Sequence, residues 1–240
     1  MPANYSERSL MRPEMDALLR RGKAELLAAM SPTPQLLQRG EILVQMDEPH
    51  EFVYVVESGW LCRSRTISDG RRQIIVIFLP GEICGIKTIF MTHQPDAIEA
   101  LTQASVRRIQ YKEACELAAK DFAVAMHLAW QLAQDERHLH NWNVRLGRAN
   151  AEERLAALLL EMRNRLDALG VSSAAGRYGL PLTQQQVADH LGLTTVHVSR
   201  ILRRFREMEM VIIRNNEVVF LENARLLEEM ARPVQDLVGE

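Results

Sequence analysis

Cysteine is scarce. The 240 residues hold three, Cys62, Cys84 and Cys115, widely spaced and with no CxxC pair or Cys/His cluster. That gives no support to a structural zinc or an iron–sulfur centre, and no metal or cofactor is expected. Free thiols, as in a reducing cytosol, are the default for such a set. Long apolar runs are missing too. No stretch approaches the roughly 18 apolar residues of a membrane span, and the N-terminus lacks the apolar core of a signal peptide. A cytoplasmic protein with no membrane partner is therefore expected. Neither sign of charge is in excess: 29 Lys and Arg face 31 Asp and Glu, for a net charge of −2. Bulk charge does not announce a nucleic-acid partner. Catalytic signatures are also absent, with no GxSxG, P-loop, dinucleotide fingerprint or HExxH. The sequence around His138 and His140 shows no carboxylate or cysteine pattern that would make a site, so an enzyme is not expected. What is present is ordinary for a globular chain, 47% hydrophobic and 25% charged. The length fits one large or two modest domains.

The most informative stretch is Leu182 to Met208, LTQQQVADHLGLTTVHVSRILRRFREM. Thr183 is a good N-cap, and Gln186 three residues on closes a capping box. Val187, Ala188 and Leu191 supply an apolar face at helical spacing. Gly192 ends that helix, as glycine does where the chain turns with positive φ. Thr194 caps a second helix whose inward face is Val198, Ile201, Leu202 and Phe205. Its outward face, Thr195, His197, Ser199, Arg200, Arg203, Arg204 and Arg206, is polar and basic. This is a helix-turn-helix pattern. A basic helical hairpin can also be a plain solvated surface, or a surface for a protein partner. In the partner case Arg200, Arg203 and Arg204 would be dispensable for holding DNA. The following run, Val211 to Leu221, is two apolar stretches broken by Asn215-Asn216 and reads as a β-hairpin. A helix-turn-helix followed by a hairpin is a winged helix, which points to DNA. A basic face on a near-neutral chain suits a protein that must find DNA without sticking everywhere.

Upstream, residues 1 to about 38 read as a polar leader and short helices, with Ala24 to Met30 stopped by Pro32 and Pro34. From Gly40 short strand-like runs follow: Glu41–Val44, Phe52–Val56, Trp60–Thr66, Gln73–Leu79, Ala97–Thr102 and Val106–Tyr111. Turn signals separate them, which argues a β-sandwich or roll of about 70 residues. From about Lys112 a long helix begins. Ala118, Phe122, Ala125, Ala129, Leu132, Glu136, Leu139, Asn143 and Leu146 fall at alternating steps of four and three, a coiled-coil seam. Its interface set is Phe122, Ala125, Ala129, Leu132, Leu139, Asn143 and Leu146, with Asn143 suited to fixing register. The other reading is that the stripe packs on its own roll. Gly147 reads as a hinge before a helix from Glu152 to Leu169, and Ser172–Pro181 reads as a small-residue loop. The expected organisation is α+β: N-terminal helices and β-roll over 1–117, a dimerisation helix over 118–147, and a winged helix-turn-helix over 148–240.

RGEILVQMDEPHEFVYVVESG, then DGRR, PGEICG and the LTQQQVADHLGLTTVHVSRILRRF block stand in this order from about Gly40 to Arg232. In that order they resemble the Crp/Fnr superfamily of bacterial transcription regulators. The resemblance implies a roll of the cyclic-nucleotide-binding, jelly-roll type. It also implies a homodimer on a near-palindromic double-stranded DNA site, with RNA polymerase as a further partner. Each subunit would place one recognition helix in the major groove. By match of motif, Arg200 is the base-reading arginine and Ser199 the serine of the Fnr-type Glu-x-x-Ser-Arg pattern. Val196 stands where that pattern has Glu; it cannot accept from a cytosine amino group but could meet a thymine methyl. Thr183, Gln185, Thr195, His197 and Arg203 match positions that contact phosphates or neighbouring bases.

In the cyclic-nucleotide binders of the superfamily, a Gly-Glu after the PGE turn and a later Arg-Ser hold the ribose and the cyclic phosphate. Here Gly85 is kept, but the Glu position is Ile86, the Arg position Asp96 and the Ser position Ala97. The adenine-contacting pair of the long helix falls at Leu139-His140. The resemblance therefore implies a degenerate pocket that does not take cAMP. The oxygen-sensing type needs four cluster cysteines, mostly near the N-terminus, and none precedes Cys62. A haem-binding type would nominate Cys84 or His93. A thiol switch would need an exposed, low-pKa sulfur at Cys62, Cys84 or Cys115. Gating by an unidentified small ligand or by thiol redox is the alternative to a roll that serves only as scaffold.

Overall fold

The computed structural model describes residues 12–171 and 177–235. The leader expected before Arg12 and residues 172–176 of the expected loop lie outside the described residues. No helix among the described residues is long and apolar enough to cross a membrane. The chain divides into two compact units. One holds the residues up to Arg65 together with Val76–Arg137; the other holds Thr66–Ile75 and the residues from His138 onward.

Among the described residues the first unit opens with one helix, α1 (Pro13–Ala29), where short helices were expected. Pro13 at its first turn suits a helix start, since its missing N–H would be unpaired there. Eight strands follow: β1 (Gln35–Leu37), β2 (Ile42–Val44), β3 (Phe52–Ser58), β4 (Leu61–Thr66), β5 (Arg72–Phe78), β6 (Ile83–Cys84), β7 (Ala97–Ala100) and β8 (Ala104–Gln110). They form two four-stranded sheets, in the orders β1-β8-β3-β6 and β2-β7-β4-β5. β1 and β6, three and two residues long, are too short to give a strand signal in the sequence.

β3 shows why the sheets layer as they do. Its FVYVV run is apolar without alternation, which fits a strand covered on both faces. Tyr54 and Val56 point into a core shared with Leu61, Phe78, Cys84, Ile98 and Val106 from both sheets. Val53 and Val55 point the other way, into a cluster with Leu26 and Met30 of the α1 region and with Ala114, Val124 and Leu128. Those last residues belong to α2 (Tyr111–Lys120) and α3 (Phe122–Arg148). One continuous helix was expected from about Lys112; the chain instead breaks at Asp121, whose extended backbone ends α2. Asp121 Oδ1 accepts from Ala123 N at 2.8 Å, satisfying one of the N–H groups that a new helix leaves open. Ala118 therefore sits on α2 and is not part of the long helix. α1 crosses α3 closely at Gly22, where a Cβ would overlap the Ala123 carbonyl oxygen.

In the second unit, α3 runs to Arg148, so Gly147 is helical and not a hinge. The break comes at Asn150, whose side chain accepts from Glu152 N and Glu153 N and closes a capping box for α4 (Ala151–Ala168). α4 is buried nearly all round, from Leu155 to Leu160, as the central helix of a small unit must be. β9 (Arg177–Gly179) occupies part of what was expected to be loop. α5 (Gln184–Leu191), α6 (Thr195–Glu207), β10 (Val211–Arg214), β11 (Glu217–Phe220) and α7 (Ala224–Gln235) complete the unit. Asn215 and Asn216, at φ of 50° and 61°, form the two-residue turn between β10 and β11. β9 adds to β11, so the wing is a three-stranded sheet.

Candidate nucleic-acid interface

The reading face is built from the caps outward. Thr183 Oγ accepts from Gln186 N at 3.1 Å, and Gln186 Oε1 accepts from Thr183 N at 2.9 Å. This reciprocal pair fixes where α5 starts. The helix ends at Gly192, φ 64°, and Leu193 N reaches back to Ala188 O at 3.0 Å. That six-to-one bond is the Schellman closure, which needs the left-handed residue that glycine supplies at least cost. Thr194 Oγ then accepts from His197 N at 3.3 Å and starts α6. Both helices are thus set by side chains within a few residues of the turn.

α6 divides cleanly into two faces. Val198, Ile201 and Phe205 are buried, and Leu202 is half-buried. On the other side Val196, His197, Arg200, Arg203, Arg204 and Arg206 are exposed, with Thr195 and Ser199 half-buried. Val196 is 64% exposed, an apolar side chain held out at the start of a helix that has a core to bury it in. Val196, Ser199, Arg200 and Arg203 recur at one-turn spacing and so share one stripe. Thr183 and Gln185 are exposed at the start of α5. Two polar groups of this surface are tied within the chain: Arg204 Nη1 donates to Glu152 Oε1 at 2.6 Å, and Gln185 Nε2 donates to Asp189 Oδ1 at 2.6 Å. The first was invisible in the sequence, because Glu152 lies 52 residues from Arg204. Chemically, the stripe offers one apolar tip, hydroxyls and guanidinium groups, and its width is that of a single helix. A major groove admits such a helix and presents base acceptors and methyls to it.

Comparison with known proteins agrees with this geometry. Residues 34–121 match the cyclic nucleotide-binding domain family, and residues 153–230 match the Crp-like helix-turn-helix domain family. Among solved structures, FixK2 from Bradyrhizobium japonicum is 33% identical, with a TM-score of 0.75, covering 82% of this chain and 96% of that one. The chain belongs to the Crp/Fnr family. The transcriptional activator protein Anr of Pseudomonas protegens is 28% identical over 190 residues, 79% of this chain and 77% of that protein. The fumarate and nitrate reduction regulatory protein of Vibrio cholerae is also 28% identical, over 193 residues, 80% of this chain and 76% of that protein. This Crp/Fnr member is a transcription regulator with a helix-turn-helix DNA-binding domain.

The residues expected at the effector pocket of a Crp/Fnr roll do not act as one group. Gly85, at φ 75°, lies so near the Phe52 carbonyl oxygen that a Cβ would meet it at 3.0 Å. Ile86 is buried in the apolar cluster with Leu26, Val53, Ile109 and Val124, which explains an aliphatic residue there. Ala97 pairs across from Ser64 on β4. Asp96 is different. It is 4% exposed and is the hub of a cationic cluster. Arg65 Nη2 lies at 2.7 Å from it, Lys87 Nζ at 3.1 Å and Arg63 Nε at 3.9 Å. Arg63 Nη1 also donates to Asp135 Oδ2 at 3.0 Å, so Asp135 of α3 reaches the cluster. Leu139 and His140, expected at the pocket from the resemblance, are exposed. Arg63, Arg65, Lys87 and Asp135 were missed. A signal existed: Arg63 and Arg65 stand two apart on a strand, and so on one face of it.

The thiols and the haem candidates fall elsewhere. Cys62 and Cys84 are buried, and burial pushes the Cys84 thiol up to about 12, opposite to what a reactive thiolate needs. Cys115 is exposed on α2, and His93 is exposed and forms a backbone bridge with Pro49. No cluster of three or more metal-ligating side chains occurs among the described residues.

The expected seam residues run along α3. Ala123, Val124, His127 and Leu128 are buried on one side of its first turns. Phe122 is 67% exposed, Leu139 and Leu146 37% each, and Ala129 and Asn143 are exposed too. Ala125 and Leu132 are half-buried, and Leu132 packs partly on the cluster beneath β3. The stripe therefore keeps apolar surface in water along most of the helix.

Proposed function

We propose that this regulator is a homodimer that reads a near-palindromic duplex with one α6 per subunit, its sensory roll closed without cAMP. The single observation that carries the DNA reading is the α6 stripe, in which Val196, Arg200 and Arg203 are exposed around a half-buried Ser199 while the opposite face is buried. In this reading Arg200 bonds a guanine bidentately, Val196 meets a thymine methyl, and Thr183, Gln185, Thr195, His197 and Arg203 hold phosphates or neighbouring bases. Dimerisation is supported by the apolar stripe of α3, which an isolated chain would leave in water. The protein acts by binding, not catalysis, with RNA polymerase as its downstream partner.

Asp96 explains how the roll does without a nucleotide. A buried guanidinium such as Arg63 needs an anion, and here the chain supplies its own buried carboxylate, which Arg65 and Lys87 join from more exposed positions. A cyclic phosphate entering beside Asp96 would meet like charge. The test is Leu132→Glu, measured by light scattering and by DNA binding. The reading predicts a monomer with much weakened site binding; a variant still dimeric would move the interface off this seam. One observation favours a second reading, gating by a small anion. Arg63 is almost fully buried, yet its Nη2 has no hydrogen-bond partner. Thermal shift with cyclic nucleotides and small carboxylates separates the two, since a ligand that binds only the folded state raises its stability.

A further inference from the structure

The connection between β4 and β5 keeps company with the DNA-binding half: Thr66–Ile75 falls in the same compact unit as α5 and α6. Its bonds converge on the last residues of α5. Arg72 Nε donates to Asp189 Oδ2 at 3.2 Å, and Gln73 Nε2 donates to the His190 carbonyl at 2.9 Å. His190 Nδ1 lies 3.0 Å from the Ile74 carbonyl. A carbonyl only accepts, so that ring nitrogen carries the proton. The imidazole is buried edge-on against Trp142, with ring centroids 4.3 Å apart. From the other side Arg154 Nη1 donates to Leu191 O at 2.8 Å. Asp189, His190 and Leu191 are thus each tied to something outside α5. An eight-residue helix needs this, because helices shorter than about 12 residues do not hold themselves in water.

Asp189 has a second bond. Its other carboxylate oxygen accepts from Gln185 Nε2 at 2.6 Å, one turn back on the exposed end of the helix. We propose that Asp189 is a positioning residue for DNA reading: it shares one carboxylate between Arg72 and Gln185, and so ties the 66–75 segment to a DNA-facing side chain. The inference rests on the proposed reading of α5 and α6. In this proposal Arg72 acts through Asp189 and not as a DNA contact. β4 and β5, the strands that carry the segment, continue along the chain into the other unit, so the tie is also a covalent route out of the reading head.

The experiment uses the full chain and a duplex that it binds, titrated at several salt concentrations with Arg72→Ala, Arg72→Lys, Asp189→Asn and the double variant Arg72→Ala/Asp189→Asn. Arg200→Ala serves as control. Arg72→Ala and Asp189→Asn should each weaken binding about tenfold, and the double variant should be no weaker than either, as for two residues of one network. The slope of log affinity against log salt should stay at the parent value, because Gln185 is uncharged and no cation is withdrawn from a phosphate. Arg72→Lys should keep most of the affinity. Multiplying losses in the double variant would overturn the proposal. So would Arg72→Ala binding within twofold of the parent while Arg200→Ala binds poorly. If Arg200→Ala itself binds normally, the reading face is wrong and the inference falls with it. Should Asp189→Asn fail to fold, equal losses for Arg72→Ala and Arg72→Lys would still overturn the role of the charge pair.

Discussion

Asp96→Asn tests the closed roll with the least change in shape. The amide keeps the volume and an acceptor but deletes the charge that faces Arg63, Arg65 and Lys87. Removing one partner of a buried ion pair costs about 3–5 kcal/mol, because the remaining charge stays desolvated. The three cations do not suffer equally. Arg65 is half-exposed and Lys87 is 31% exposed, so both can turn toward water. Arg63 is 6% exposed and cannot, though it keeps Asp135. The cost therefore sits at the low end, about 3 kcal/mol, which for a unit of this size is a fall in Tm of about 10 °C. Thermal melting followed by circular dichroism reads it. The loss should change little with salt, since buried pairs are weakly screened. A variant that melts within about 2 °C of the parent would refute this reasoning, because a buried Arg63 left with Asp135 as its one carboxylate partner could not be that inexpensive.

Three further outcomes are expected. Arg200→Ala should cost about 1–3 kcal/mol in specific binding and relax the preference at one base pair, whereas Arg203→Ala should weaken all sequences alike and lower the salt slope; competition binding on variant duplexes separates the two. Gly22→Ala should destabilise by at least about 1–3 kcal/mol, since a methyl that overlaps a backbone oxygen drives α1 off α3 and outweighs the gain in helix propensity; a higher Tm would show that the two helices do not pack this closely. Stability should also fall as pH drops from 6.5 toward 4. Burial lowers His190 to about 4 from its usual 6.5, so across that window the unfolded chain takes up a proton that the folded one does not. The difference is about 3 kcal/mol at its fullest, and His190→Gln should flatten that limb of an acid melting curve.

Local chemistry was legible in the sequence and tertiary charge was not. The caps at Thr183 and Thr194, the glycine at 192 and the Asn215-Asn216 turn each act within a few residues, so reading them required no knowledge of the fold. The two faces of α6 follow from its period in the same way. The break at Asp121 escaped because the apolar stripe runs through it: Ala118 on α2 and Phe122 on α3 keep the seam spacing although the backbone does not continue. Gly147 suggested a hinge that Asn150 provides through its cap. β9 was hidden in a loop because three residues pairing with β11 carry no pattern of their own. At the roll, the sequence shows Asp96 only as a carboxylate at the Arg position, because its neighbours, Arg63, Arg65 and Lys87, sit 33, 31 and nine positions away in the chain. Pairings at such separations are set by sheet register, which β4 and β7 fix only once folded.

If a dimer reads symmetric DNA through α6 with no effector bound, purified protein alone should select its own site from a random pool of duplexes. The expected yield is a two-fold symmetric site, with a guanine in each half-site that is lost with Arg200→Ala and a thymine that changes with Val196→Glu. No enrichment until cell extract is added, or enrichment of a single unpaired half-site, would contradict a dimer that reads without an effector.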